Sequence, residues 1–215
     1  MMIGVLVLVG VVLVLAVLLV LRRRGQQRRP SGAGADEVAG GRADEEAFLQ
    51  RTRAHERWPV VTQIEFEVEA LPEDLEFFPD GISPWVHLED PEPEIARMRH
   101  PDEIVIRSDK VVVIIDYPLE RAVLIDLASS DPRGFSRAEV ARSIGREYRR
   151  IYVEEEATAT QKTLPMEQRG GVINRNRTDG KYGIWAHDLE DLDLVSIEVH
   201  QAPEGTLHLA LNVDS

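Results

Sequence analysis

The sequence predicts an α+β domain, an antiparallel sheet covered by one long helix, set behind a single N-terminal transmembrane helix. Three observations predict it. Residues 1–21 are apolar without interruption and end in Arg22, Arg23 and Arg24. Strand-like alternation runs through residues 63–70 and again through 192–213. A capped helical stripe begins at Ser136.

Residues 1–21, at a rise of about 1.5 Å each, make a helix of roughly 31 Å, the thickness of a bilayer's hydrocarbon core. A cleaved signal peptide would show a basic start, a shorter apolar stretch and a small-residue cleavage site, and this segment has none of them. Lys and Arg near a span stay on the cytoplasmic side. Arg22, Arg23, Arg24, Arg28 and Arg29 follow the span, so the expected topology is single-pass in a plasma membrane, N-terminus outside and C-terminal domain cytoplasmic. Arg outnumbers Lys 22 to 3, which fits a GC-rich bacterial genome. Gly4 and Gly10 are not spaced as a close-packing dimer motif, so the lipid bilayer is the expected partner of residues 1–21 and no dimer through the span is expected.

Residues 22–43 form a basic, then flexible linker rich in Gly, Ala, Gln and Arg. Its flexible part, about 19 residues long, has a reach near 25 Å. The expected soluble domain is 44–215, long enough to bury a core. Net charge is −13, and the five linker arginines leave −18 on residues 36–215. Such a surface repels phosphate backbones, so nucleic acid is not an expected partner. The chain has no cysteine, which excludes thiol nucleophiles, disulfides and thiolate metal sites.

Along the domain, residues 44–58 suit a short helix ended by Pro59. Ile64, Phe66, Val68 and Ala70 alternate with Gln63, Glu65, Glu67 and Glu69, as in a strand buried on one face. Prolines punctuate 72–101, leaving room for a short strand at 85–88. Residues 103–108, 111–117 and 122–128 read as an antiparallel meander, with 111–115 covered on both faces. Ser136 and Glu139 form a capping box, and Phe135 and Val140 occupy staple positions. The helix should run to about Glu156 and bury Val140, Ile144, Tyr148 and Ile151 beside Ala141 and Tyr152. Gly145 within it suggests close approach to a strand. The final hairpin is expected to pair Val199 with Leu207, Ile197 with Leu209 and Val195 with Leu211.

No Walker loop, GxGxxG, GxSxG, HExxH or EF-hand pattern is present, and no cofactor is expected. Three groupings remain as sites. The long loop 157–183 carries a basic island, Arg169, Arg175, Arg177 and Lys181. Its Asn, Asp and Gly residues suit nests of backbone N–H groups that hold anions. Arg175, Arg177, Asp179, Tyr182 and Trp185 are the expected ligand or partner contacts, unless these cations simply neutralise neighbouring acids. His187 and Asp188, with Asp191 and Asp193 nearby, could pair a general base with its orienting carboxylate, though adjacent strand residues face opposite ways. Glu198, His200 and His208 would share the polar face of the hairpin, the register setting Glu198 opposite His208; such cross-strand pairs are common on wet sheet faces, so no metal is expected, and these three are the candidates if one binds. Glu154, Glu155 and Glu156 crowd a helix C-terminus, where the macrodipole disfavours anions; the basic loop is expected to answer them.

These features predict a membrane-tethered, non-enzymatic interaction domain, an adaptor or scaffold, that contacts a protein partner through the 169–188 loop. The alternative is a small hydrolase or sensor of an anionic metabolite, which requires Arg175, Arg177, Asp179, His187 and Asp188 to converge in one pocket.

Overall fold

The computed structural model describes residues 46, 48, 50–170 and 174–215, and residues 48–215 form one compact unit. The helix expected over residues 1–21 and the linker over 22–43 lie outside the described residues. Among the described residues no helix is long and apolar enough to cross a membrane.

Helical turns before Ala54 and a 3-10 turn at Ala54–Arg57 give way at Pro59 to β1 (Val60–Glu65). The expected alternation holds, with Ile64, Phe66 and Val68 all buried, but the strand divides. β2 (Val68–Glu69) leaves the main sheet to pair with β3 (Ile82–Ser83). The Glu67 and Glu69 backbones meanwhile exchange hydrogen bonds with Arg99 and Arg97, so the chain changes sheets without orphaning its polar groups. β4 (Val86–His87) supplies the short strand expected at 85–88, and α1 (Glu92–Ile95) follows.

β5 (Ile104–Ile106) does not join a meander. It pairs with β8 (Phe135–Ser136), while β6 (Lys110–Ile115) pairs antiparallel with β7 (Val123–Ala128) as expected. At Gly134, with φ +122°, a Cβ would lie 1.9 Å from the Ile106 carbonyl oxygen, so only glycine permits this crossing of β5. The helix α2 (Arg137–Thr158) starts where the cap places it, Ser136 Oγ accepting from the Glu139 N–H at 3.2 Å. Val140, Ala141, Ile144, Tyr148, Ile151 and Tyr152 are buried. A Cβ at Gly145 would stand 2.9 Å from the Leu88 carbonyl oxygen, just past β4, which is the close approach expected there.

The sheet closes with β9 (Asp193–Gln201) and β10 (Leu207–Asp214) in the order β1-β9-β10-β6-β7, with β4 paired to the other end of β9. The sheet is mixed, because β10 runs parallel to β6; this corrects the antiparallel expectation. Periodicity reports which faces are buried and not which strand is the neighbour. The unbroken apolar run 111–115 carries the very signature of a parallel-paired central strand.

The hairpin register is corrected too, by two residues: Leu209 pairs with Val199 and Leu211 with Ile197, while Leu207 faces Gln201. A two-residue slip keeps every side chain on its face, so the apolar pattern cannot discriminate between the two. The turn decides, the Ala202 N–H donating to Thr206 O and the Gly205 N–H to Ala202 O, both at 2.9 Å.

Candidate functional site

Where α2 ends, three consecutive glutamates point into the segment the sequence marks as basic, and each finds a different answer. Glu154 meets the Lys181 ammonium at 2.7 Å, the Tyr182 hydroxyl at 2.5 Å and Arg150 at 2.8 Å. These hold its carboxyl down at about 2. Glu156 accepts from the Thr163 hydroxyl at 2.9 Å.

Glu155 is fully buried. Its Oε1 accepts from the Thr178 hydroxyl at 2.6 Å and the Gly180 N–H at 2.8 Å; its Oε2 accepts from the N–H groups of Tyr182 at 2.7 Å and Gly183 at 3.1 Å. Burial raises its pKa, but these donors outweigh burial and hold the carboxyl below its ordinary value. The backbone nest that the Asn, Asp and Gly residues foretell therefore exists, and the anion in it is the domain's own. A Cβ at Gly180 would lie 2.5 Å from the Glu155 carbonyl oxygen and 2.7 Å from its carboxylate carbon, so glycine is required for the wrap.

The described residues around it, in 157–161 and 175–186, are fastened to this centre. Arg175 N–H donates to Ala186 O at 2.8 Å and Thr178 N–H to Ile184 O at 2.9 Å. The Asp179 carboxylate accepts from the N–H groups of Thr160 and Gln161 at 2.8 and 2.7 Å. Arg121 reaches from just before β7 to the carbonyls of Gly180 and Lys181. Of the expected cations, Lys181 answers the glutamates. Arg177 pairs instead with Glu120 at 2.5 Å, and Arg175 turns toward Asp188.

Arg175 lines a cleft of about 650 Å³ between α2, Glu89, the 163–169 segment and residues 188–190. Arg175 is buried in its wall, its guanidinium carbon 5.1 Å from the centre of the Tyr152 ring and its Nη1 3.5 Å from Asp188 Oδ1. Its Nε has no hydrogen-bond partner among the described residues. Asp188 also holds Arg169 at 2.6 Å and caps the 3-10 turn Leu189–Asp191, in which the Asp191 carboxylate accepts from the Asp188 N–H at 3.0 Å. Tyr152 donates to His187 O at 3.0 Å, and burial raises its phenol pKa. At the rim, Val153 is 69% exposed and Met166 55% exposed.

The sequence-predicted residues thus separate. Arg175 and Asp188 share the cleft. His187, next to Asp188, lies on another side, its ring 5.5 Å from Tyr117 and its Nε2 3.5 Å from Ser215 Oγ. Ala186 at φ +64° sets the chain turning just before this pair. Trp185 packs edge-on to Tyr117 at 5.4 Å, and Tyr182 is committed to Glu154. Glu198 and His200 approach to 3.4 Å, but the corrected register sets His208 opposite His200 and Ala210 opposite Glu198. Trp58 and His55 pack on the two imidazoles. Among the described residues no group of three or more His, Asp or Glu could hold a metal ion, Glu198, His200 and His208 included.

Glu155, Thr178, Tyr152 and Arg169 carry the site, and sequence reasoning did not assign them these roles. The available signal was the conflict between three glutamates and the helix dipole, read beside Asp179-Gly180-Lys181-Tyr182-Gly183 in the following loop. Compared with protein-family models, with curated proteins and with solved structures, the chain matches none.

Proposed function

We propose that the chain is a membrane-tethered, non-enzymatic interaction module that docks a segment of a protein partner in the cleft beside α2. The observation that carries this reading is the dispersal of the polar set that catalysis would need. Arg177 is spent on Glu120, Asp179 on Thr160 and Gln161, and His187 faces away toward Tyr117 and Ser215. The cleft left with Arg175 combines a buried, under-bonded guanidinium with an apolar rim at Val153 and Met166. That combination suits a partner residue placing a carboxylate inside and apolar side chains at the edge, since buried Arg anchors ringed by apolar contacts dominate interface energies. The apolar run of residues 1–21 supports the tether, with the domain on the cytoplasmic side.

Photo-crosslinking in native membranes tests this. A crosslinker at Met166 of the full-length protein should capture one protein that a crosslinker at exposed Val61 does not. Arg175→Ala should reduce that adduct about tenfold, and Arg177→Ala should leave it. Equal labelling from both positions, or an adduct indifferent to Arg175, would overturn the reading.

A further inference from the structure

A second cleft, of about 470 Å³, opens on a different part of the domain, between the 71–78 segment, β3, β4 and α1. Its walls are aromatic. Phe78 and Trp85 meet edge to face at 5.1 Å, and Phe77, also in the wall, is 70% exposed. Asp74 and Glu94 bring two carboxylates into the same lining.

Glu94 is the informative residue. It is 9% exposed, one carboxylate oxygen is 3.5 Å from Arg97 Nη2, and the other, Oε2, has no hydrogen-bond partner among the described residues. A buried carboxylate oxygen without a donor is an unusual expense for a native fold. Arg97 approaches the first oxygen, its Nη1 donating to Glu69 O and its Nη2 standing 3.5 Å from Oε1. His87, the remaining basic residue of the lining, is committed to Asp193 at 2.5 Å. The torsion that orients a glutamate carboxylate is soft, so a cation entering the cleft can draw the unpaired oxygen toward itself.

We propose that this cleft binds a small organic cation, an alkylated ammonium, with the rings of Phe77, Phe78 and Trp85 against its alkyl groups and the Glu94 carboxylate answering its charge. Aromatic faces attract alkylammonium groups through the ring quadrupole, and they do so best where water is displaced. The volume falls in the range of small-ligand sites. A charge of −18 on residues 36–215 raises the local concentration of any cation. This site shares no lining residue with the cleft beside α2, and the proposal is independent of the one above.

The test uses the full-length protein, the indole N–H resonance of Trp85 as reporter, choline as probe and 3,3-dimethylbutanol as its neutral isostere. Choline should shift the Trp85 signal saturably, and the isostere should not shift it at equal concentration. Glu94→Gln should weaken choline binding about tenfold or more. Phe77→Ala, a change at an exposed side chain, should weaken it roughly three- to tenfold. An equal response to cation and isostere, no response to choline, or undiminished binding by both variants would overturn the proposal.

Discussion

Glu155 and Glu94 are both at least nine-tenths buried, and the regions around them resolve that burial in opposite ways. At the end of α2 a whole chain segment has folded over the carboxylate, and one hydroxyl and three backbone N–H groups meet its two oxygens. In the aromatic cleft the second carboxylate has one oxygen near Arg97 and another with no donor among the described residues. A buried charge that is fully answered organises structure; one left partly unanswered sits where something else can bind. The same contrast separates Lys181, spent on Glu154, from Arg175, whose Nε has no partner among the described residues in the wall of the larger cleft.

The largest effect should come from removing the answered carboxylate. Glu155→Ala leaves several buried donors without an acceptor and should cost about 3–5 kcal/mol. For a unit of this size that lowers the thermal midpoint by roughly 10 °C or more, and proteolysis should begin within 174–186. A midpoint within a few degrees of wild type would mean that the wrap does not depend on Glu155. Next, Gly180→Ala drives a methyl against the Glu155 backbone and carboxylate and should cost about 2–3 kcal/mol, measured by denaturant titration. Gly205→Ala, at the hairpin turn with open space around the added atom but φ +95°, serves as the comparison for backbone strain alone. The smallest effect belongs to the other glutamate. Glu94→Gln removes a charge already short of partners and should change stability by under about 1 kcal/mol; a loss as large as that of Glu155→Ala would erase the distinction between the two regions.

Much of the fold was legible because apolar periodicity is a local signal. Val140, Ile144, Tyr148 and Ile151 mark the buried stripe of α2, Ser136 marks its start, and Ile64, Phe66 and Val68 mark a half-buried strand. Neighbour relations were not legible. Nothing local tells β10 that it lies parallel to β6, or β5 that its partner is β8 rather than β6, and a register slip of two leaves the pattern unchanged. The site shows the same division. The 174–183 segment could be read as a nest for an anion from its residue types. That the anion is Glu155, on α2, depends on tertiary placement. His187 and Asp188 are adjacent in sequence yet serve different surroundings, since neighbouring side chains on extended backbone face opposite ways.

The anion site of the basic segment is occupied from within, by Glu155. A carbon-13 titration of the Glu155 carboxyl in the full-length protein tests it directly. Its folded pKa is held below the ordinary value, so its contribution to stability is complete above roughly pH 4.3, the unfolded value. The contribution fades as pH falls through the folded value. The Glu155 midpoint should fall below the ordinary glutamate range, with the amide signals of Gly180, Tyr182 and Gly183 moving in the same step and none of them responding to added inorganic phosphate. A Glu155 midpoint at or above the ordinary value, with those amides shifting saturably on phosphate instead, would contradict it.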